Sequence, residues 1–152
     1  MLELITDMLR EIEAIKKDPR DFEFPNKKEY NWKLPDADYV LKALQLILKL
    51  PKRLQHSVDI TCMQNGGYTL TWNTQGDWRI MPQEEKATVY VSFMKNYTYH
   101  KFLWFNWKTG GEEIISVGAL GKYGDIFQRA KDVDEAVELI LPILKHKEFS
   151  SR

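Results

Sequence analysis

Two hydrophobic periods divide the chain. Apolar residues recur at Ile5, Met8, Leu9, Ile12 and Ile15 with charged residues between them, the spacing of one helical face, and this predicts a helix over 2–17. Asp18-Pro19 ends it, because a residue before proline is pushed out of the α region. The polar and aromatic stretch 18–34 reads as an irregular loop. Pro35 and Asp36 restart helical structure, and a second helix is expected over 36–50. Val40, Leu41, Leu44, Ile47 and Leu48 form its stripe, Ala43, Leu46 and Leu50 widen it, and Pro51 stops it.

From about residue 57 the period changes to strict alternation. Val58, Ile60 and Cys62 alternate with polar partners, the turn Asn65-Gly66-Gly67 follows, and Tyr68, Leu70 and Trp72 alternate again, a hairpin signature. Gln75-Gly76-Asp77 leads to a short run over Trp78 to Met81 that Pro82 stops. Ala87, Val89, Val91 and Phe93 predict another strand, Lys95-Asn96 a turn, and Tyr97 to Trp107 one long strand. Thr109-Gly110-Gly111 then turns the chain into Glu113 to Val117. Short connections imply antiparallel neighbours, so 57–117 is expected to be a meander of five to six strands.

After the glycines 118, 121 and 124 a helical turn is expected around Ile126 to Ala130. Asp132 and Glu135 have the capping-box spacing, and a helix over 133–145 follows, disturbed near its last turn by Pro142. The tail from His146 is expected to fray. The fold class is therefore α+β: a single domain over 1–152 with two N-terminal helices, an antiparallel meander, and a C-terminal helix on one face of the sheet.

Composition narrows the class of protein. Hydrophobic residues make up 43% and charged residues 29%, the balance of a globule rather than a disordered segment. Twenty-two Lys+Arg balance 22 Asp+Glu, which argues against a strongly basic nucleic-acid binder. One cysteine, Cys62, permits no internal disulfide. The first residues lack the basic and apolar regions of a signal peptide, and no apolar run approaches the ~18 residues a membrane-spanning helix needs. A cytoplasmic protein is expected, so the acceptor pattern Asn96-Tyr97-Thr98 is read as coincidental.

No catalytic or cofactor chemistry emerges. His56, His100 and His146 are far apart and cysteine partners are missing, which disfavours zinc. Cys62 lies among alternating apolar residues, where a buried inert thiol is the common case. Gly118, Gly121 and Gly124 are spaced three and three, which matches neither a dinucleotide fingerprint nor a phosphate-binding loop, so they read as turn glycines. Glu84-Glu85 and Glu112-Glu113 read as solvated pairs, and no Ser-His-Asp arrangement is recognisable. No cofactor is expected.

The aromatics carry the functional signal. Seven Phe, seven Tyr and five Trp crowd into the middle of the chain, above all on Tyr97 to Trp107. Strict alternation puts Tyr97, Tyr99, Lys101, Leu103, Phe105 and Trp107 on one face and Thr98, His100, Phe102, Trp104 and Asn106 on the other. Both faces are then apolar, unlike a sheet with one wet face. One reading buries Leu103, Phe105 and Trp107 under helices while loops cover Phe102 and Trp104. The other makes the strand a contact surface, with Tyr97, Tyr99, Phe102 and Trp104 as anchors and Lys95, Lys101 and Lys108 at the rim.

Asn31-Trp32, the helix opened by Pro35-Asp36-Ala37 and closed by Leu46-Ile47-Leu48-Lys49-Leu50-Pro51, and Gly66-Gly67-Tyr68-Thr69-Leu70-Thr71-Trp72 resemble a loose group of small uncharacterised bacterial and phage α+β proteins. The resemblance implies an accessory protein that binds a larger partner, as inhibitors of host defence and immunity proteins do. A non-enzymatic protein-binding module that occludes its partner is therefore expected. Its partner would be another protein, or a second copy through the sheet face, with no membrane involved. Single-stranded nucleic acid stacked on the sheet aromatics is the alternative, and an enzyme of unrecognised type comes third.

Overall fold

The computed structural model describes residues 37–62 and 67–149, together with Thr6 and Arg10, both helical. The rest of the helix expected over 2–17, the loop 18–34, the turn at Asn65-Gly66 and the end of the tail lie outside the described residues. Helix α1 (Ala37–Leu48) presents Tyr39, Ala43, Leu46 and Ile47 inward, followed by Leu50 beyond its end. The buried face is thus rotated from the expected stripe, and Leu41 and Leu48 are exposed. Pro51 ends that segment and opens the short α2 (Lys52–Gln55), whose Leu54 is fully buried.

Five strands follow in an antiparallel meander of order β1-β2-β3-β4-β5: β1 (Asp59–Cys62), β2 (Tyr68–Asn73), β3 (Ala87–Phe102), β4 (Phe105–Gly121) and β5 (Ile126–Ala130). In β2 the alternation holds as expected, with Tyr68, Leu70 and Trp72 buried and the residues between them half-buried. The Trp72 indole N–H donates to the Leu54 carbonyl at 2.9 Å, tying α2 to the sheet. Val89, Val91 and Phe93 of β3 and Ile115, Val117 and Ala119 of β4 extend the same buried face.

Helix α3 (Val133–Leu144) covers that face beside α1 through Ala136, Val137, Ile140, Ile143 and Leu144. Asp132 caps it, its carboxylate accepting from the Glu135 amide at 2.8 Å. Pro142 stands inside its last turn, where it has no N–H to give the Glu138 carbonyl, and the helix ends two residues later. An ion pair between Lys49 and Asp134 and hydrogen bonds from Arg53 to the Leu144 and Lys145 carbonyls join the helices. The described residues thus form an α+β layer with helices on one face of the sheet.

Several expectations are corrected. Trp78 to Met81 forms a turn instead of a strand, with the Trp78 indole donating to the Thr74 carbonyl at 2.6 Å. Ile126 to Ala130 is an edge strand, so the sheet runs on past residue 117 to residue 130. The tail is tied down: Phe149 is fully buried, and the Gln75 amide donates to the Glu148 carbonyl at 2.6 Å. Gly121 and Gly124 form the β4–β5 turn, both with positive φ, and the chain then enters a strand. Gly118 lies within β4 under the Tyr90 ring, where a β-carbon would stand 2.2 Å from Cζ.

The largest correction concerns β3 and β4. Lys95-Asn96 lies inside β3, Gly110-Gly111 lies inside β4, and the chain reverses at Leu103-Trp104. Tyr97 to Trp107 is therefore the distal half of a long hairpin instead of one strand.

Candidate interaction surface

The last rung of the hairpin with both residues buried is Phe93/Ile115, and the outermost is Phe102/Phe105. At ~3.3 Å per residue the ribbon runs roughly 30 Å from one to the other, and we term its distal part, from Asn96 outward, the arm. Every residue from Lys101 to Gly110 is exposed. Leu103, Phe105 and Trp107 are accordingly surface residues and do not pack under the helices.

A bulge decides which side chains share a face. Below it Asn96 pairs with Glu112; above it Tyr97 pairs with Gly110, leaving Gly111 as the extra residue. Gly110 and Gly111 have φ of 90° and 101°, values that glycine adopts without a side-chain penalty. In an unbroken ladder Tyr97 would face Gly111, and Trp107 would fall beside Lys101. The observed register puts Lys108 opposite Tyr99 and Asn106 opposite Lys101, while Trp107 faces His100.

The arm has two chemically different faces. Tyr97, Tyr99, Lys101, Asn106 and Lys108 form a tyrosine face, and Lys95 lies further down the same face. Lys108 holds its ammonium 4.2 Å from the Tyr97 ring centroid, and the Tyr97 and Tyr99 rings are 6.5 Å apart. Thr98, Thr109, His100, Trp107, Phe102 and Phe105 form a threonine face. There His100 stacks on Trp107 at 5.3 Å, and its Nε2 lies 2.8 Å from the Thr109 hydroxyl. An isolated two-stranded ribbon is marginal in water, and beyond the core the arm is held by its backbone ladder together with the cross-strand contacts Tyr97–Lys108, His100–Trp107 and His100–Thr109.

The seven residues singled out from the sequence all lie on this ribbon but do not form one patch. Tyr97, Tyr99, Lys95, Lys101 and Lys108 share the tyrosine face, Phe102 projects from the other, and Trp104 occupies the turn. Tyr99 is 75% exposed, Phe102 64% and Trp104 77%, whereas Tyr97 is half-buried. Sequence reasoning missed Leu103, Phe105 and Trp107 as exposed residues. The available signal was length, since an eleven-residue run is about twice an ordinary strand.

Leu103 marks the apex. Its φ is +54°, and it is the one non-glycine residue of positive φ among the described residues. A leucine there costs about 1 kcal/mol or more relative to its preferred backbone regions. The position suits glycine or asparagine, yet it carries a large side chain in solvent.

A shallow depression of about 430 Å³ lies between Tyr99, His100, Lys101, Asn106, Trp107 and Lys108. Its lining holds no carboxylate, so a carboxylate acid–base pair has no place there. Among the described residues no group of three or more His, Cys, Asp or Glu is arranged to hold a metal ion, and no helix is long and apolar enough to cross a membrane. Glu84, Glu85, Glu112 and Glu113 are exposed, and Glu113 meets Lys42 at 3.4 Å. Cys62 ends β1, its side chain lying outside what is described.

The class of protein that fold and site define is an α+β domain carrying an exposed aromatic hairpin arm. No family model, curated protein or solved structure matches the chain.

Proposed function

We propose that this chain is a non-enzymatic, cytoplasmic protein-binding module of the inhibitor or immunity type, in which the tyrosine face and apex of the arm enter a cleft of a larger protein and occlude it. The observation that carries this reading is the apex itself. Leu103 and Trp104 stand beyond the core, 63% and 77% exposed, with Leu103 held at a φ of +54°. Exposed aromatic patches of this kind mark interfaces, and Trp and Tyr dominate the energy of such contacts. Lys95, Lys101 and Lys108, with no acidic residue from Lys86 to Gly111, would favour an acidic rim on the partner.

A photo-crosslinker at position 99 identifies the partner. The purified partner should then bind wild-type chain and lose roughly tenfold or more in affinity when Tyr99→Ala and Trp104→Ala are combined. The variant's circular dichroism and melting should hardly change. Undiminished binding, or collapse of the fold, defeats the reading.

A second reading follows from the tyrosine face. Two neighbouring tyrosines flanked by Lys101 and Lys108 could stack single-stranded bases and meet phosphates. Affinity for a mixed-sequence single strand would then fall steeply with salt, and absence of binding at low salt removes the idea.

A further inference from the structure

β5 ends the sheet, and among the described residues only β4 pairs with it. An edge strand offers backbone N–H and C=O groups along its free side, and such edges are usually blunted by charge or by a cover. This one is open in its middle, where Phe127, Gln128 and Arg129 are all exposed, Phe127 by 65%. Phe127 and Arg129 project from the face away from the helices, opposite Gly118 and Ser116. Gly118 has no side chain, so β4 sets nothing directly opposite the Phe127 ring.

We propose that this edge is a self-recognition strand whose occupant is β5 of a second copy, paired antiparallel about a two-fold axis at Gln128. In that register the sequence is complementary to itself. Ile126 meets Ala130 of the other copy, Phe127 meets Arg129, and the flanking Asp125 meets Lys131. An isologous contact makes each of these pairings twice. Two opposite-charge pairs therefore close the ends, and two guanidinium groups come beside Phe rings. The Asp125 Oδ1 accepts from the Gly121 amide at 3.3 Å, which holds the carboxylate at the end of the strand and leaves Oδ2 for Lys131. Every pairing joins positions that point the same way from the strand, so backbone groups facing away from β4 in one copy meet those facing away from it in the other.

Charge complementarity selects the second copy over other occupants. An unrelated extended peptide could use the backbone groups, but it would leave the opposite charges placed symmetrically about Gln128 without a role. In this register those charges attract, so they do not act as the deterrent that protects other edges. Neighbouring registers are worse: an axis at Phe127 pairs only three residues of each strand, and an axis at Arg129 sets two arginines against each other. The opposite edge, β1, carries Asp59 and no cation, and so lacks this complementarity. Pairing makes one sheet of ten strands, five from each copy, and the axis sends the two arms out in opposite directions. The inference goes beyond the proposed function and stands independently of it, because no residue of the arm takes part.

Sedimentation velocity of the full chain tests it directly, from low micromolar to several hundred micromolar, because so short an edge makes a weak interface. A monomer–dimer equilibrium should appear. Lys131→Asp sets two acidic pairs across the axis and should weaken it roughly fivefold or more, and adding Asp125→Lys should restore it. Oxidation supplies the second measurement. Residues paired across the axis lie within the span of a disulfide, so Gln128→Cys in a Cys62→Ser background should form a covalent dimer. Asp59→Cys, exposed on the opposite edge, should not. A monomer at every concentration overturns the proposal, as does a dimer indifferent to Lys131→Asp. Crosslinking at position 59 that equals or exceeds that at position 128 overturns it too. If the charge variants fail to fold, the cysteine pair decides alone. Partner capture by a strictly monomeric chain would sink this inference and leave the proposed function intact; a dimer that binds no partner would do the reverse.

Discussion

Gly111 lies against the ring of Tyr97: a β-carbon built on this glycine would stand 2.9 Å from Cε1, on a backbone with φ of +101°. The extra residue of the bulge therefore has to be glycine for two reasons, its conformation and its neighbour. Gly111→Ala should cost the arm about 1–2 kcal/mol and release the Tyr97–Lys108 contact. Because the arm lies beyond the core, amide exchange at Thr98 and Thr109 should quicken while the global melting transition stays. Deleting Gly111 leaves the rungs on either side paired as before and should be tolerated better. Unchanged exchange in Gly111→Ala would show that the bulge does not hold the arm.

Leu103 offers a sharper separation of stability from recognition. Glycine at this position relieves the positive φ of 54°, so Leu103→Gly should leave stability unchanged or raise it by up to about 1 kcal/mol. Under the proposed function the same change should weaken partner binding, because the apex loses a side chain that folding does not use. A fall of more than about 1 kcal/mol in denaturant unfolding would mean that Leu103 packs in a way its exposure does not show.

These two positions also show why the middle of the sequence is harder to read than its flanks. In β2 the alternation of Tyr68, Leu70 and Trp72 reports one-sided burial, and the capping residue Asp132 reports a local hydrogen bond. The arm has no buried face, so its side chains carry no record of which way they point. Glycine marks both turns and bulges, and Gly110-Gly111 serves a bulge inside β4. The true reversal at Leu103-Trp104 contains no turn residue at all. Ile126 and Ala130 are four apart, a helical spacing, yet β5 buries Ala130 as an edge strand paired to β4. The aromatic cluster was visible in the sequence, and its division into a face with lysines and a face without them was not, since that division depends on one residue of register.

The loop before β3 contains a local pH-dependent contact. The Asp77 carboxylate accepts from the Arg79 guanidinium at 3.1 and 3.2 Å and from its amide at 3.0 Å, and these bonds, the side-chain ones foremost, hold its pKa below the ordinary carboxylate value. A lowered folded-state pKa means that the contact's contribution is complete above the ordinary value of about 3.9 and disappears as pH falls through the lowered midpoint. An NMR titration should place the Asp77 midpoint below that of an unpaired aspartate, and Arg79→Ala should move it back up. The pair is exposed, so global stability should barely respond. A midpoint at or above the ordinary value would show that the contact does not persist in solution.

Trp72 is the counterpart of Trp104 and should behave in the opposite way. It is fully buried, and its indole donates to the Leu54 carbonyl at 2.9 Å, whereas Trp104 is 77% exposed. Trp72→Phe removes the donor, leaves the Leu54 carbonyl without that partner, and opens a void beneath α2. The sum should be about 2–4 kcal/mol of destabilisation, read as a lower denaturant midpoint at constant slope. Trp104→Phe should stay within about 0.5 kcal/mol of wild type, the usual range for a surface substitution. Equal losses at the two tryptophans would place Trp104 in the folded core and remove the arm from consideration as a recognition surface.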